Sequence, residues 1–275
     1  MTRTCKTKCP RGLISRLTVV TLLVVAVSLA SGLLANAKPG GKTREPIPQD
    51  NVPKELRSLI DDGKVEVVYE SDPEFVKAAR GWADFHLQLR YTFKYDLSKS
   101  QKNGRWHIKL AIAKLKPKIE LTHLIRLPVT FKSPDVWSGR ILRHEFDHIA
   151  ISLDPRAMLL LRHLLDHLTE IERTLEPKES PTNGVLSKLV DDEILKRREA
   201  VVELMRQNNI ELDKIGAHGG QAVPNRAAFF ARLYTKGNLA ERKFPFIDEV
   251  LDLLETPEYQ QAELRFLPRD PAEPR

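Results

Sequence analysis

A change of hydrophobic period near residue 130 constrains this chain more than any other feature. Upstream of it, Phe85, Leu87, Leu89, Tyr91, Phe93 and Tyr95 alternate with His86, Gln88, Arg90, Thr92 and Lys94. Strict period two marks a strand with one buried face, because successive side chains point to opposite sides of a sheet. Residues 98–104 read as a loop. A second alternating run follows through Trp106, Ile108, Leu110 and Ile112, and residues 119–127 read as a third strand ending at Pro128. A shorter strand, 65–69, precedes them. His86, His107 and His123 fall in these strands and read as surface or structural residues.

Downstream the period is helical. Ser133-Pro134-Asp135 offers an N-cap, a proline at the first helical position and an early acid. Pro155 stops that helix about twenty residues later. Trp137, Ile141, His144, His148 and Ile151 recur along it at steps of four and three. Asp154-Pro155 opens a second helix with Leu161, Leu164, Leu168, Ile171 and Leu175 on one side. His163, His167 and Glu170 lie off that stripe and read as solvated, whereas Glu172 falls at its edge. A third helix covers residues 185–207, and Asn225 caps a fourth through Phe229, Phe230 and Leu233. Strands followed by helices predict an α+β fold, a mostly antiparallel N-terminal sheet followed by a helical half.

The first helix of that half carries His144-Glu145-Phe146-Asp147-His148, an H-E-x-x-H pentapeptide. Residues four apart share a helix face, so His144 and His148 can direct two imidazole nitrogens at one metal ion. Glu145 projects beside them and can take a proton from a water that the ion acidifies, the arrangement of zinc hydrolases. The plain alternative is two core histidines satisfied by backbone carbonyls. If Glu145 beside them is buried as well, that alternative leaves it unexplained, since unpaired buried charge is costly. A third ligand has two candidates: Glu172, by its angular position, and His218, set between small residues in Gly216-Ala217-His218-Gly219-Gly220. The plain alternative for His218 is an ordinary turn after a helix. Tyr234 and Arg143 are candidates for stabilising an oxyanion.

The ends of the chain point to export. Arg3, Lys6, Lys8, Arg11 and Arg16 precede an uncharged stretch, 17–37, that closes on Ala35-Asn36-Ala37. This is the pattern of a signal peptide over residues 1–37, with an uncleaved anchor at 17–37 as the alternative. A periplasmic or secreted protein is expected, touching a membrane only in the anchored case. Both cysteines, Cys5 and Cys9, lie in this leader, so ligands beyond it must be nitrogen and oxygen donors. The leader also holds five of the 44 basic residues and no acid, which leaves 39 basic against 37 acidic residues. So nearly balanced a remainder gives no support for nucleic-acid binding. Residues 38–53 read as a flexible lead-in, 54–266 as one domain with a substantial core, and 267–275 as a disordered tail.

The order of these features resembles a family of exported bacterial proteins of unknown function predicted to be zinc-dependent proteases. The matching positions are Leu127-Pro128, Trp137, the pentapeptide 144–148, then Leu212-Asp213, His218-Gly219 and Gln221. Gly216 departs from the pattern, which has threonine there. The resemblance covers residues 82–221 and implies a zincin-like domain, with His218 as third ligand to one zinc ion and Asp213 orienting it. The expected function is an exported zinc metallohydrolase acting on a peptide or protein substrate, with Glu145 as general base. The alternatives are a non-catalytic envelope protein that zinc stabilises, and an interaction protein whose pentapeptide is accidental.

Overall fold

The computed structural model describes residues 44–262 and the backbone of Leu23–Ser28. The rest of the expected leader, including its cleavage motif, and the expected tail lie outside the described residues. The described chain is mixed α+β, a sheet in the N-terminal part followed by helices. Six strands, β1 (Leu23–Ser28), β2 (Arg44–Pro46), β3 (Val65–Glu70), β4 (Trp82–Lys102), β5 (Arg105–Pro128) and β6 (Glu170–Thr174), form one sheet. Its order is β1-β4-β5-β3-β2, with β6 also on β5, and every pairing is antiparallel except β3 with β5. The helices are α1 (Lys54–Gly63), α2 (Pro73–Ala78), α3 (Arg140–Leu153), α4 (Pro155–Asp166), α5 (Asn183–Gly216), α6 (Arg226–Arg232), α7 (Lys236–Glu241), α8 (Leu251–Leu254) and α9 (Pro257–Gln260). None of the described helices is long and apolar enough to cross a membrane.

The hairpin of β4 and β5 dominates the sheet. Asn103 and Gly104 both have positive φ and form its two-residue turn, a geometry that Asn-Gly adopts at little cost. The loop expected over 98–104 is therefore only the turn itself. Nor do residues 106–127 hold two strands: β5 is continuous, with a bulge where Lys94 pairs with Lys114 but Tyr95 pairs with Ile112. The extra residue, Ala113, shifts the alternation by one, so even-numbered residues up to Ile112 and odd-numbered ones from Leu115 lie on the same face. On that face Leu87, Leu89, Tyr91, Phe93, Tyr95, Ile108 and Leu110 are buried against the helices. The Tyr91 hydroxyl donates to Asp191 Oδ1 at 2.7 Å and ties the hairpin to α5.

Several other boundaries differ from the sequence reading. Residues 44–52 are not a flexible lead-in, because β2 pairs with β3 and Ile47 and Val52 are buried. The Trp137 indole donates to Pro48 O at 3.0 Å and holds this segment against the turn before α3. Ser133 accepts from Asp135 N but caps no α-helix: a short 3-10 turn, Val136–Ser138, intervenes, and α3 starts only at Arg140. The chain after α4 turns back as β6, which pairs with β5 and buries Ile171. Finally, α5 runs on to Gly216, since Leu212 is fully buried and continues the stripe of Leu186, Val190, Ile194, Val201 and Met205.

Two apolar clusters meet at α3. Ala150 and Ile151 belong to the larger one, with β4, α4 and α5; Leu142, Phe146 and Ile149 belong to the other, with α1, β3 and Trp137. His123 helps join these regions from β5. Its Nδ1 donates to Gly63 O at 2.6 Å and its Nε2 lies 2.8 Å from the Ser152 hydroxyl on α3. Burial pushes its pKa down to about 4, against a smaller opposing pull from the Gly63 carbonyl. The unfolded chain therefore binds the extra proton more readily, so this contribution is complete above about pH 6.5 and is lost as pH falls from there toward 4. The expected loss is about 2 kcal/mol by pH 5. Urea unfolding of the wild type and His123→Gln between pH 7 and 5 checks this: the variant should lack that part of the slope, and equal slopes would refute it.

Candidate metal centre

The site forms where α3 crosses α5. His144 and His148 stand one turn apart on α3, while Asn209 and Asp213 stand one turn apart on α5 and face them. Asp213 Oδ1 lies 3.1 Å from His144 Nε2 and 3.2 Å from His148 Nε2, and the two Nε2 atoms are 3.2 Å apart. His148 Nδ1 donates to Asn209 Oδ1 at 2.9 Å, which turns its Nε2 toward the other two atoms.

These three donors form a group that could hold a metal ion. Their near-equal separations match three corners of a tetrahedron with bonds of about 2 Å, the length zinc makes to imidazole nitrogen and carboxylate oxygen. Two imidazole nitrogens and one carboxylate also suit zinc's preference among ligands. Two ring nitrogens at 3.2 Å repel unless a cation or a shared proton lies between them. The protein alone answers with protons. Burial would lower the His148 pKa, yet the Asp213 hydrogen bond and the Glu145 charge outweigh it and raise the value to about 9. Burial would raise the Asp213 pKa, but the hydrogen bonds from His144 and His148 and the nearby imidazole charges hold it far below the usual carboxylate range.

Glu145, beside His144 on α3, is only 4% exposed. Burial lifts its pKa to about 7, and the charge of His148 opposes that rise. Gly81 makes this burial possible: a Cβ there would stand 2.5 Å from Glu145 Oε1 and 2.9 Å from Ile141 Cγ2. Gly216 has the matching role for His144, whose ring atoms Cε1 and Nδ1 would lie 3.0 and 3.1 Å from an added Cβ. A threonine at Gly216, as in the resembling family, would press on that ring. Asp147 points away from the centre and accepts from the Arg226 guanidinium of α6, with Nε 3.0 Å from each carboxylate oxygen. This buried pair fixes the rotation of α3. Removing one partner of such a pair costs about 3–5 kcal/mol.

The expected third ligands are placed differently. Glu172 lies on β6, is 65% exposed and pairs with Lys109 at 3.1 Å, so it takes no part in the site. His218 is near the centre but outside the group of three: its Nδ1 lies 3.1 Å from Asp213 Oδ1 and its side chain is 78% exposed. Ala217, His218 and Gly219 all have positive φ, a sharp reversal that lays the His218 ring beside the carboxylate. Two non-glycine residues held there cost about 1–2 kcal/mol each, a strain that accompanies functional turns. Asp213, expected to orient a ligand, itself belongs to the group of three donors. Among the described residues, neither Tyr234 nor Arg143 makes a hydrogen bond or ion pair with the three donors; the Tyr234 hydroxyl donates instead to Ile151 O at 2.6 Å. Asn209, Gly81 and Arg226 escaped the sequence reading. Only Asn209 left a signal, the Asn-x-x-x-Asp step that mirrors His-x-x-x-His. Comparison with family models, curated proteins and solved structures finds no match to this chain.

The geometry ranks the candidates by what their loss would do. Asp213→Ala should weaken divalent-metal binding by orders of magnitude, His218→Ala by about 10–100-fold, as removal of a supporting contact does, and Glu172→Ala not at all. Zinc titration against a competing chelator measures all three. A His218→Ala loss equal to that of Asp213→Ala would make His218 a full ligand.

Proposed function

We propose that this chain is a zincin-like, zinc-dependent hydrolase that cleaves peptide bonds and works outside the cytoplasm. The observation that carries the proposal is the set of three donors 3.1–3.2 Å apart, with a buried carboxylate on the residue next to one of them. His144, His148 and Asp213 would hold the ion, and His218 would steady Asp213 from the solvent side. When bound, zinc acidifies water and polarises the scissile carbonyl.

The remaining work falls to the chain's own residues. Glu145 takes a proton from the attacking water and delivers it to the departing amine, which needs a carboxylate whose pKa lies near working pH. Its pKa of about 7 suits both halves of that transfer. Asn209 fixes the tautomer of His148, and Gly81 lets Glu145 stand where it does. The leader pattern at residues 1–37 supports export; its cleavage would remove β1 and leave β4 as the edge strand of the sheet.

Turnover and metal content separate base from ligand. Glu145→Gln keeps the side-chain shape but removes the proton acceptor, so peptide hydrolysis should fall by about 10²–10⁴-fold while zinc stays near one per chain. Gly81→Ala should act in the same direction, because the added methyl displaces the Glu145 carboxylate and leaves the three donors alone. Both variants are assayed with a mixed fluorogenic peptide set and by metal analysis. An active Glu145→Gln protein would end the mechanism, and a zinc-loaded wild type without any peptide hydrolysis would leave the ion a purely structural role.

A further inference from the structure

Beside the centre lies a cavity of about 440 Å³ whose lining combines two chemistries. Leu127, Phe131, Val136, Ile141 and Leu142 supply apolar walls, and Arg80 and Arg140 supply two guanidinium groups. Phe131 is among the few large apolar side chains left exposed on the described surface. Arg140 donates to Gly220 O at 3.0 Å, and among the described residues no carboxylate forms an ion pair with either arginine. Asp135 is the only acid in the lining and pairs with neither.

Three of the segments that line the cavity also border the centre. Arg80 precedes Gly81, whose backbone abuts the Glu145 carboxylate. Ile141 stands one helical turn before Glu145. Gly219 follows His218, and a Cβ on it would lie 3.2 Å from His144 Cβ and 3.4 Å from Ile141 Cα. One helical turn is about 5.4 Å and an extended peptide advances about 3.4 Å per residue. A chain cleaved beside Glu145 would thus reach the cavity within one or two residues.

Resting on the hydrolase reading, we infer that this cavity receives the free carboxyl end of a peptide, so that the enzyme removes one or two residues ending in an apolar side chain. An apolar residue at a free C-terminus offers both features at once, a side chain for the walls and an α-carboxylate for Arg80 and Arg140. An internal Asp or Glu would satisfy the arginines and leave the apolar walls uncovered. Planar guanidinium groups bind carboxylates through paired, charge-assisted hydrogen bonds, which gives the end group a defined position.

Three peptides of one sequence test this: one ending in leucine as the free acid, one as its C-terminal amide, and an amide with an internal glutamate. Binding to the zinc-loaded Glu145→Gln protein is measured by calorimetry, and kcat/KM with the wild type. The free acid should bind and be cleaved about tenfold or more better than either amide. Arg80→Ala and Arg140→Gln, singly and together, should erase that preference without changing zinc content. Equal binding of acid and amide, or a preference for the internal glutamate, overturns the inference. If the wild type cleaves nothing but the acid still binds better and the arginine variants abolish the difference, the carboxylate pocket stands and the peptidase reading falls.

Discussion

One carboxylate oxygen organises the helical half of this protein. Asp213 Oδ1 stands within 3.2 Å of imidazole nitrogens on two successive turns of α3, and within 3.1 Å of a third imidazole on the turn after α5. Every other placement serves this convergence. Helix α5 must run to Gly216 to carry the carboxylate that far, and it does so because Leu212 is fully buried. The backbone then reverses through three residues of positive φ, so that His218 lies on the near side. The convergence is expensive without a cation: a buried Glu145, two facing ring nitrogens and a carboxylate share one small volume. Protons on His148 or a metal ion relieve the same electrostatic problem, which is why the structure reads as a site rather than as a polar defect.

The surroundings fix α3 by contacts that do no chemistry. Apolar residues bury two of its faces in separate clusters, and Asp147 is clamped by Arg226. Two missing methyl groups complete the fit. At Gly81 the backbone approaches Glu145 so closely that a side chain would displace the carboxylate, and at Gly216 it approaches His144 closely enough that a side chain would press on the ring. Rigid positioning of this kind is what a metal centre needs, because a donor displaced by half an ångström no longer meets its partners at a common distance.

How far the sequence spoke depended on whether a residue's partner was near in sequence. His144, Glu145 and His148 were legible because a single helix relates them, and the structure does bring both histidines together. The alternation of residues 85–95 declared its strand for the same local reason. The bulge at Ala113 was also written there, as a change of phase between Ile112 and Leu115, but a phase change in a continuous strand resembles two strands with a loop. The place of Asp213 was not legible, because it depends on where α5 ends, and that end is set by the burial of Leu212 against distant elements. Glu172 failed for the converse reason, since a helical angle has no meaning once tertiary pairing has made the segment a strand. Gly81 and Arg226 act only across the fold, on Glu145 and Asp147, and nothing beside them in the chain announces it.

The same logic explains the exchange between Asp213 and His218. A histidine flanked by glycine looks mobile enough to reach an ion, and an aspartate five residues earlier looks like its support. In the fold the aspartate sits on the rigid last turns of α5, and the histidine sits on the strained, solvent-facing reversal beyond it. A ligand is better drawn from the rigid element, because its position is then fixed before the ion arrives and little ordering entropy opposes binding. The exposed histidine stands on the outer side of the carboxylate, where its charge helps hold the Asp213 pKa down, and it lies outside the group of three. The His218 loop also runs directly into Gly219 and Gly220, which wall the arginine-lined cavity. Through this reversal, the turn that supports the third donor also shapes the space beside the centre, and any movement of His218 would alter both.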